Sequence, residues 1–190
     1  MRIIAGEYRG RRLKTLRGLA VRPTSDKLRE TLFNILRSEV PASVFIDCYA
    51  GSGAVGFEAL SRGASQVFLI EKDPAAARVI EQNIAALDSR PAVRVVRADV
   101  KAGLRKLAAQ GVRANICFLD PPYASLREAL RNIQEIVSGT LMHPEGLIIL
   151  EHARKDPSPE QAGKPPRRWE RTRLLVQGSS ALSFYRQNLS

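Results

Sequence analysis

Cysteine is scarce: the 190 residues hold two, Cys48 and Cys117, each inside an apolar run. A disulfide framework needs an oxidising compartment and usually more thiols, so both are expected as small buried hydrophobes. With only two histidines and none clustered near a cysteine, no metal site is expected. No apolar run approaches the ~20 residues that span a bilayer. The opening Met1-Arg2-Ile3-Ile4-Ala5-Gly6-Glu7 lacks the apolar stretch of a secretory signal, so a cytoplasmic protein is expected. Repeats and low-complexity tracts are absent too. Acidic residues run short, 19 against 30 Lys and Arg, for a net charge of +11. The excess sits at the ends. Residues 1–40 carry ten basic and four acidic residues, 41–150 twelve and eleven, and 151–190 eight and four. A nearly neutral body with cationic ends suits a polyanionic partner, although a merely solvated basic surface has the same composition.

What is present begins with two short strands, Arg2–Ala5 and Arg11–Thr15, around a turn with Gly6 and Gly10: a candidate hairpin. Arg9, Arg11, Arg12, Lys14 and Arg17 lie in or beside it. Pro23-Thr24-Ser25-Asp26 signals a helix start. Leu28, Leu32, Ile35 and Leu36 then space out one face of a helix ending near Glu39. From Val44 the pattern changes to short apolar strands near 44–48, 67–70, 93–96, 116–119 and 147–150, separated by helices near 54–62, 74–87, 100–110 and 125–138. That alternation predicts right-handed βαβ units and a parallel sheet covered on both faces. Residues 152–168, with four prolines, read as an exposed loop. Two final strands, 171–176 and 181–185, make seven. The chain is expected to be a basic extension, 1–40, on one α/β unit, 41–190, with a Rossmann-like, doubly wound, mostly parallel sheet. Nothing demands more than a monomer.

Residues 51–56, Gly-Ser-Gly-Ala-Val-Gly, follow the first strand and open a helix. Glycines there permit positive φ and close approach of a ligand to the backbone. Glu71, twenty positions after Gly51 at the end of the second strand, stands where a carboxylate holds ribose hydroxyls. The loop therefore indicates a nucleoside-like cofactor without saying which. Asp47 ends the first strand and Asp99 follows the third. A carboxylate beside the loop suits an ammonium or sulfonium group and offers a pyrophosphate little. Asp99 could take an adenine amine, cap the next helix, or do both.

Asp120-Pro121-Pro122-Tyr123 follows the fourth strand. Two prolines stiffen the backbone and remove two N–H donors, so the Pro121 carbonyl can point outward. One carboxylate, one fixed carbonyl and one aromatic ring match an exocyclic base amine with its two N–H donors and π-face. The alternative is a plain strand-to-helix turn with a capping Asp and a packing Tyr.

This tetrapeptide with the glycine loop resembles the amino-methyltransferase branch of class I S-adenosylmethionine methyltransferases. Arg2–Leu13, Arg22–Asn34 and Ala50–Ala64 resemble, more narrowly, the bacterial RsmD family, which methylates guanine N2 in 16S ribosomal RNA. Gln177-Gly178-Ser179-Ser180 and Cys48-Tyr49 depart from that pattern. The resemblance implies a cofactor site of Asp47, Ala50, Gly51, Ser52, Gly53, Glu71, Lys72 and Asp99. It implies Asp120, Pro121 and Tyr123 at the reacting amine, and 16S rRNA, in a small-subunit particle, as partner. Arg9, Arg11, Arg12 and Lys14 are the expected phosphate contacts. Three rivals stand beside it: a nicotinamide oxidoreductase, which leaves 120–123 unexplained, a non-catalytic RNA-binding module, and a DNA adenine-N6 methyltransferase.

Overall fold

Strand and helix periods in the sequence become strands and helices in the same order. The computed structural model describes residues 1–16, 25–89, 91–122, 126–156, 158–164 and 167–188. Arg17, the helix-start residues Pro23 and Thr24, Tyr123, and Pro157, Pro165 and Pro166 lie outside the described residues. The chain forms two compact units, Met1–Gly103 and Leu104–Ser190. The extension expected at 1–40 falls wholly within the first.

The first unit contains α1 (Asp26–Ile35), β1 (Val44–Asp47), α2 (Ala54–Ser61), β2 (Gln66–Glu71), α3 (Pro74–Leu87) and β3 (Val93–Arg97). Helix α4 (Val100–Ala109) starts here, and the division between units falls inside it. The strands run in the order β3-β2-β1, all parallel, with Phe45 opposite Val67 and Leu69 opposite Val95. Parallel neighbours need crossovers, and α2 and α3 supply them. Strands β1 and β2 are largely apolar because both faces are covered, with Phe45, Ile46, Val67, Leu69 and Ile70 fully buried, whereas β3 at the edge exposes Arg94 and Arg97. Helix α3 starts where Asp73 caps it, Oδ1 accepting the Ala76 N–H at 2.7 Å, with Pro74 in the first turn.

The expected N-terminal hairpin is a single antiparallel bridge, Arg2 to Arg12. The Ile3 N–H reaches the Arg11 carbonyl and the Leu13 N–H the Met1 carbonyl, both at 3.0 Å. It lengthens no further because the next donors go to α2. The Ile4 and Ala5 N–H groups donate to the Glu58 carboxylate at 2.7 and 3.1 Å. The Glu7 N–H reaches the Ser61 carbonyl at 2.8 Å and the Tyr8 N–H the Ser61 hydroxyl at 2.9 Å. Gly6 is obligatory there: its φ is 84°, and a Cβ would stand 1.7 Å from the Ser61 carbonyl oxygen.

Helix α1 is capped by the Ser25 hydroxyl, which accepts the Leu28 N–H at 3.1 Å. It stops at Ile35, short of Glu39, and its buried face is Leu28, Arg29, Leu32 and Phe33, with Ile35 only half-buried. Leu28, Leu32 and Leu36 of the expected face are buried, and two long-range contacts widen that face to take in Arg29 and Phe33. Phe33 stacks on Phe45 with ring centroids 6.2 Å apart, and Arg29 lies 3.8 Å from Glu58. Both charged side chains are fully buried. Burial pulls the Arg29 pKa down, while Asp26 and Glu58 pull it up.

The second unit holds β4 (Ala114–Leu119), α5 (Leu126–Ser138), β5 (Met142–Ala153), β6 (Gln161–Lys164), β7 (Arg167–Gln177) and β8 (Ser180–Gln187). Their order is β4-β5-β8-β7-β6. Only β4 and β5 are parallel; β8, β7 and β6 continue antiparallel. Eight strands are therefore described where seven were expected. The eighth, β6, lies inside the stretch read as a loop at 152–168. Its prolines flank the strand instead of interrupting it, and its Ala162 sits opposite Trp169, which is 2% exposed. The antiparallel part is correspondingly larger than the edge pair expected at 171–176 and 181–185. Helix α5 buries Ala129, Ile133, Ile136 and Val137 and packs on β5, β6 and β7.

Replacing Glu58 by Ala should leave the buried Arg29 with Asp26 alone as counter-ion, unpair Arg62, and remove the acceptor of two backbone N–H groups. A loss of about 3–5 kcal/mol is expected in urea unfolding, with a smaller loss for Glu58→Gln.

Candidate active site

In the first unit the candidate residues gather at the carboxyl ends of β1, β2 and β3, the edge where open α/β sheets bind ligands. Asp47 is the last residue of β1 and is 2% exposed. The chain then turns through residues 48–53 into α2. The Ala50 N–H donates to the Ile70 carbonyl at 3.0 Å, and the Gly53 N–H to the Ala50 carbonyl at 2.6 Å. The three glycines have separate jobs. Gly51 has φ 55° and open space where a Cβ would be, so its outer side admits a ligand. Gly53 has φ 80° and is the residue from which α2 starts. Gly56 lets α2 lie close on β2, since a Cβ would meet Leu69 at 2.3 Å.

Glu71 braces this loop. Its Oε2 accepts the Gly51 N–H and its Oε1 the Asp73 N–H, both at 2.8 Å. A carboxylate has about four lone-pair directions, so these bonds leave capacity for ligand hydroxyls. The loop thus fits a nucleoside-bearing cofactor. Lys72 next to it is exposed. Asp99 is exposed and accepts the Ala102 N–H at 2.9 Å, so it caps α4. The cap occupies one carboxylate oxygen, so the two roles weighed for Asp99 are compatible. Ser52 is tied inward: its carbonyl accepts from Asn83 Nδ2 at 3.2 Å.

The basic candidates also belong to this unit. Arg9, Arg11, Arg12 and Lys14 are all exposed. Arg11 uses one donor, Nη2, on the Ala86 carbonyl at 2.9 Å. The Lys14 backbone is held by Asn83.

In the second unit Asp120, Pro121 and Pro122 leave β4 and line a cleft with Leu126, Glu151, His152, Ala153 and Asp156. Pro121 is buried and Pro122 exposed. Leu119 pairs with Leu150, so Asp120, just past the end of β4, comes out beside Glu151, which is still within β5. The back wall is rigid. His152 Nδ1 lies 3.0 Å from the Ala153 carbonyl and its Nε2 3.0 Å from the Ser183 hydroxyl, so both ring nitrogens are engaged. The Ser183 and Ser158 hydroxyls lie 2.6 Å apart, and Arg171 Nη1 donates to Ser158 Oγ at 2.9 Å. Glu151 and His152 were missed in the sequence, yet a signal exists. Glu151 follows the apolar run 147–150 as Asp120 follows 116–119.

The family model described as Conserved hypothetical protein 95 matches residues 1–186. The chain belongs to this family, the RsmD family. The Escherichia coli protein named Ribosomal RNA small subunit methyltransferase D is 38% identical, covering 98% of this chain and 90% of that protein. The Haemophilus influenzae protein of the same name is 34% identical, covering 83% and 81%. A solved structure of a hypothetical protein of Thermus thermophilus matches with TM-score 0.81 and 34% identity, over 97% of this chain and 98% of that one. The RsmD-family chain has the Rossmann-like methyltransferase fold. Among the described residues, no helix is long and apolar enough to cross a membrane.

Glu71→Ala should free the Gly51 and Asp73 N–H groups. A loss of about 1–3 kcal/mol is expected in urea unfolding, together with faster hydrogen exchange of the Gly51 amide. Unchanged exchange would show that Glu71 does not brace the loop.

Proposed function

We propose that this RsmD-family protein is a cytoplasmic rRNA methyltransferase that moves a methyl group from S-adenosylmethionine to N2 of a guanine in 16S ribosomal RNA. The observation that carries the reading is the Asp120-Pro121-Pro122 turn lining a cleft at the carboxyl end of β4. The glycine loop braced by Glu71 supports it, as do the names of the relatives.

In this reading Ala50, Gly51, Ser52 and Gly53 meet the methionine part of the cofactor and Asp47 lies behind its charged end. Glu71 holds the ribose hydroxyls, with Lys72 beside it, and Asp99 takes the adenine amine. When bound, S-adenosylmethionine supplies a methyl group on a sulfonium sulfur, already activated for displacement. The target guanine must leave its stack to reach the cleft, and Tyr123 offers the face it stacks on. The guanine amine is a poor nucleophile because its lone pair is delocalised into the ring. Asp120 and the Pro121 carbonyl, each accepting one of its N–H groups, favour a pyramidal nitrogen with that lone pair aimed along one line. The methylated amine sheds its proton readily, so Asp120 need not be a strong base, and positioning is the main contribution. Residues 1–40 act as the RNA-binding extension, with Arg9, Arg11, Arg12 and Lys14 on phosphates.

Mass mapping of ribosomal RNA from a strain lacking the gene should show one guanine without its N2-methyl group. The purified protein should restore it, and should bind S-adenosylhomocysteine but not NADH. Asp120→Ala should lower kcat by about 10²–10³-fold, the usual cost of one transition-state hydrogen-bonding group, with S-adenosylhomocysteine affinity unchanged. A missing methyl on adenine N6 would reject the reading. Neutralising Arg9, Arg11, Arg12 and Lys14 together should lower the slope of log affinity for RNA against log salt by about 3, at ~0.7–0.9 per lost phosphate contact. An unaltered slope would assign these residues another role.

A further inference from the structure

Asn83 sits on α3 with its side chain buried, 1% exposed, and belongs to neither the glycine loop nor the basic segment. It bonds both. Its Oδ1 accepts the Lys14 N–H at 2.8 Å, and its Nδ2 donates to the Lys14 carbonyl at 3.1 Å and the Ser52 carbonyl at 3.2 Å. An amide nitrogen has two hydrogens, so one goes to each carbonyl. The peptide joining Ser52 to Gly53 is thereby held at both ends, its carbonyl by Asn83 and its N–H by the Ala50 carbonyl at 2.6 Å. The Lys14 backbone is held at both ends by the same amide. Two further contacts run between the same parts: Arg11 Nη2 to the Ala86 carbonyl on α3, and Met1 Sδ 3.9 Å from the Ser52 hydroxyl.

We propose that Asn83 is a positioning residue that couples the two binding events: RNA held by residues 9–14 fixes Lys14, and Asn83 passes that order to the Ser52–Gly53 peptide of the cofactor loop. The inference rests on the reading above, that the loop takes the cofactor and residues 9–14 take RNA. The amide is enclosed and makes all three bonds, so a shift of the Lys14 backbone must move the amide, break its bonds, or move Ser52. Linkage makes the effect reciprocal: whatever RNA does to cofactor affinity, the cofactor does to RNA affinity.

The test titrates S-adenosylhomocysteine into the full chain by calorimetry, with and without 16S ribosomal RNA from cells lacking the gene. The wild type should bind S-adenosylhomocysteine about fivefold or more tightly with RNA present, the lower end of ordinary couplings. In Asn83→Ala that ratio should fall to about one, while the salt slope of RNA binding persists because every basic side chain remains. Asn83→Asp keeps the acceptor for the Lys14 N–H and loses both donated bonds, so it should lose the ratio as well. A merely structural Asn83 would weaken both affinities and leave the ratio at the wild-type value, which overturns the proposal. A second readout uses the wild type alone: RNA without cofactor should slow hydrogen exchange at the Gly53 amide, and unchanged exchange counts against the coupling. A wild type that binds neither ligand would sink the proposed function itself. One that binds both without cooperativity would sink only the role of Asn83.

Discussion

A carboxylate sealed from water organises the first unit. Glu58 has no exposed surface, and it takes the Ile4 and Ala5 N–H groups, the Arg62 guanidinium at 2.8 Å and the Arg29 guanidinium at 3.8 Å. Burying such a charge costs several kcal/mol, and only saturated bonding offsets that cost. The return is register. Helix α2 carries Glu58 and begins at Gly53, so fixing residues 4 and 5 on that helix sets the N-terminal segment at a defined height beside the glycine loop. An apolar residue at 58 would pack, but it would offer the backbone of Ile4 and Ala5 nothing. A slide of the segment by one residue would bring a Cβ where Gly6 now meets Ser61.

The second unit solves a different problem. Its parallel start, β4 and β5, brings Asp120 out beside Glu151, and the antiparallel β8 then supports β5 along seven residues, from Leu147 to Ala153. The hydroxyl–imidazole chain from Arg171 through Ser158 and Ser183 to His152 closes the wall behind the cleft. Chains of this kind keep a polar wall stiff, because rotating one hydroxyl leaves its neighbour unsatisfied in a medium that penalises it.

Local patterns were legible in the sequence and distant pairings were not. Strands β1 to β5 announced themselves as apolar runs, and the glycine loop, Glu71 and the Asp-Pro-Pro turn stand at fixed short spacings along the chain. Arg29 reads as an ordinary solvated charge paired with Asp26 one turn back, because its buried partner lies 29 residues away; the better clue was Glu58, a lone acid among Ala54-Val55-Gly56-Phe57 and Ala59-Leu60. Asn83 gave no sign, since an amide in a helix looks the same whether it meets water or two backbones. Strand β6 hid behind composition: four prolines within 152–168 read as a loop, although none falls inside Gln161–Lys164. Glu151 was within reach, because it follows the apolar run 147–150 as Asp120 follows 116–119, although β5 itself runs on to Ala153.

Trp169 is the chain's one tryptophan, and it lies in the second unit, almost fully enclosed on β7. Indole emission therefore watches Leu104–Ser190 and is blind to the half that carries the glycine loop. Tyr8 and Tyr49 belong to that other half. Trp169 thus labels one half alone: a denaturation followed by tryptophan light and by backbone dichroism separates if the halves melt apart, and coincides if they melt as one.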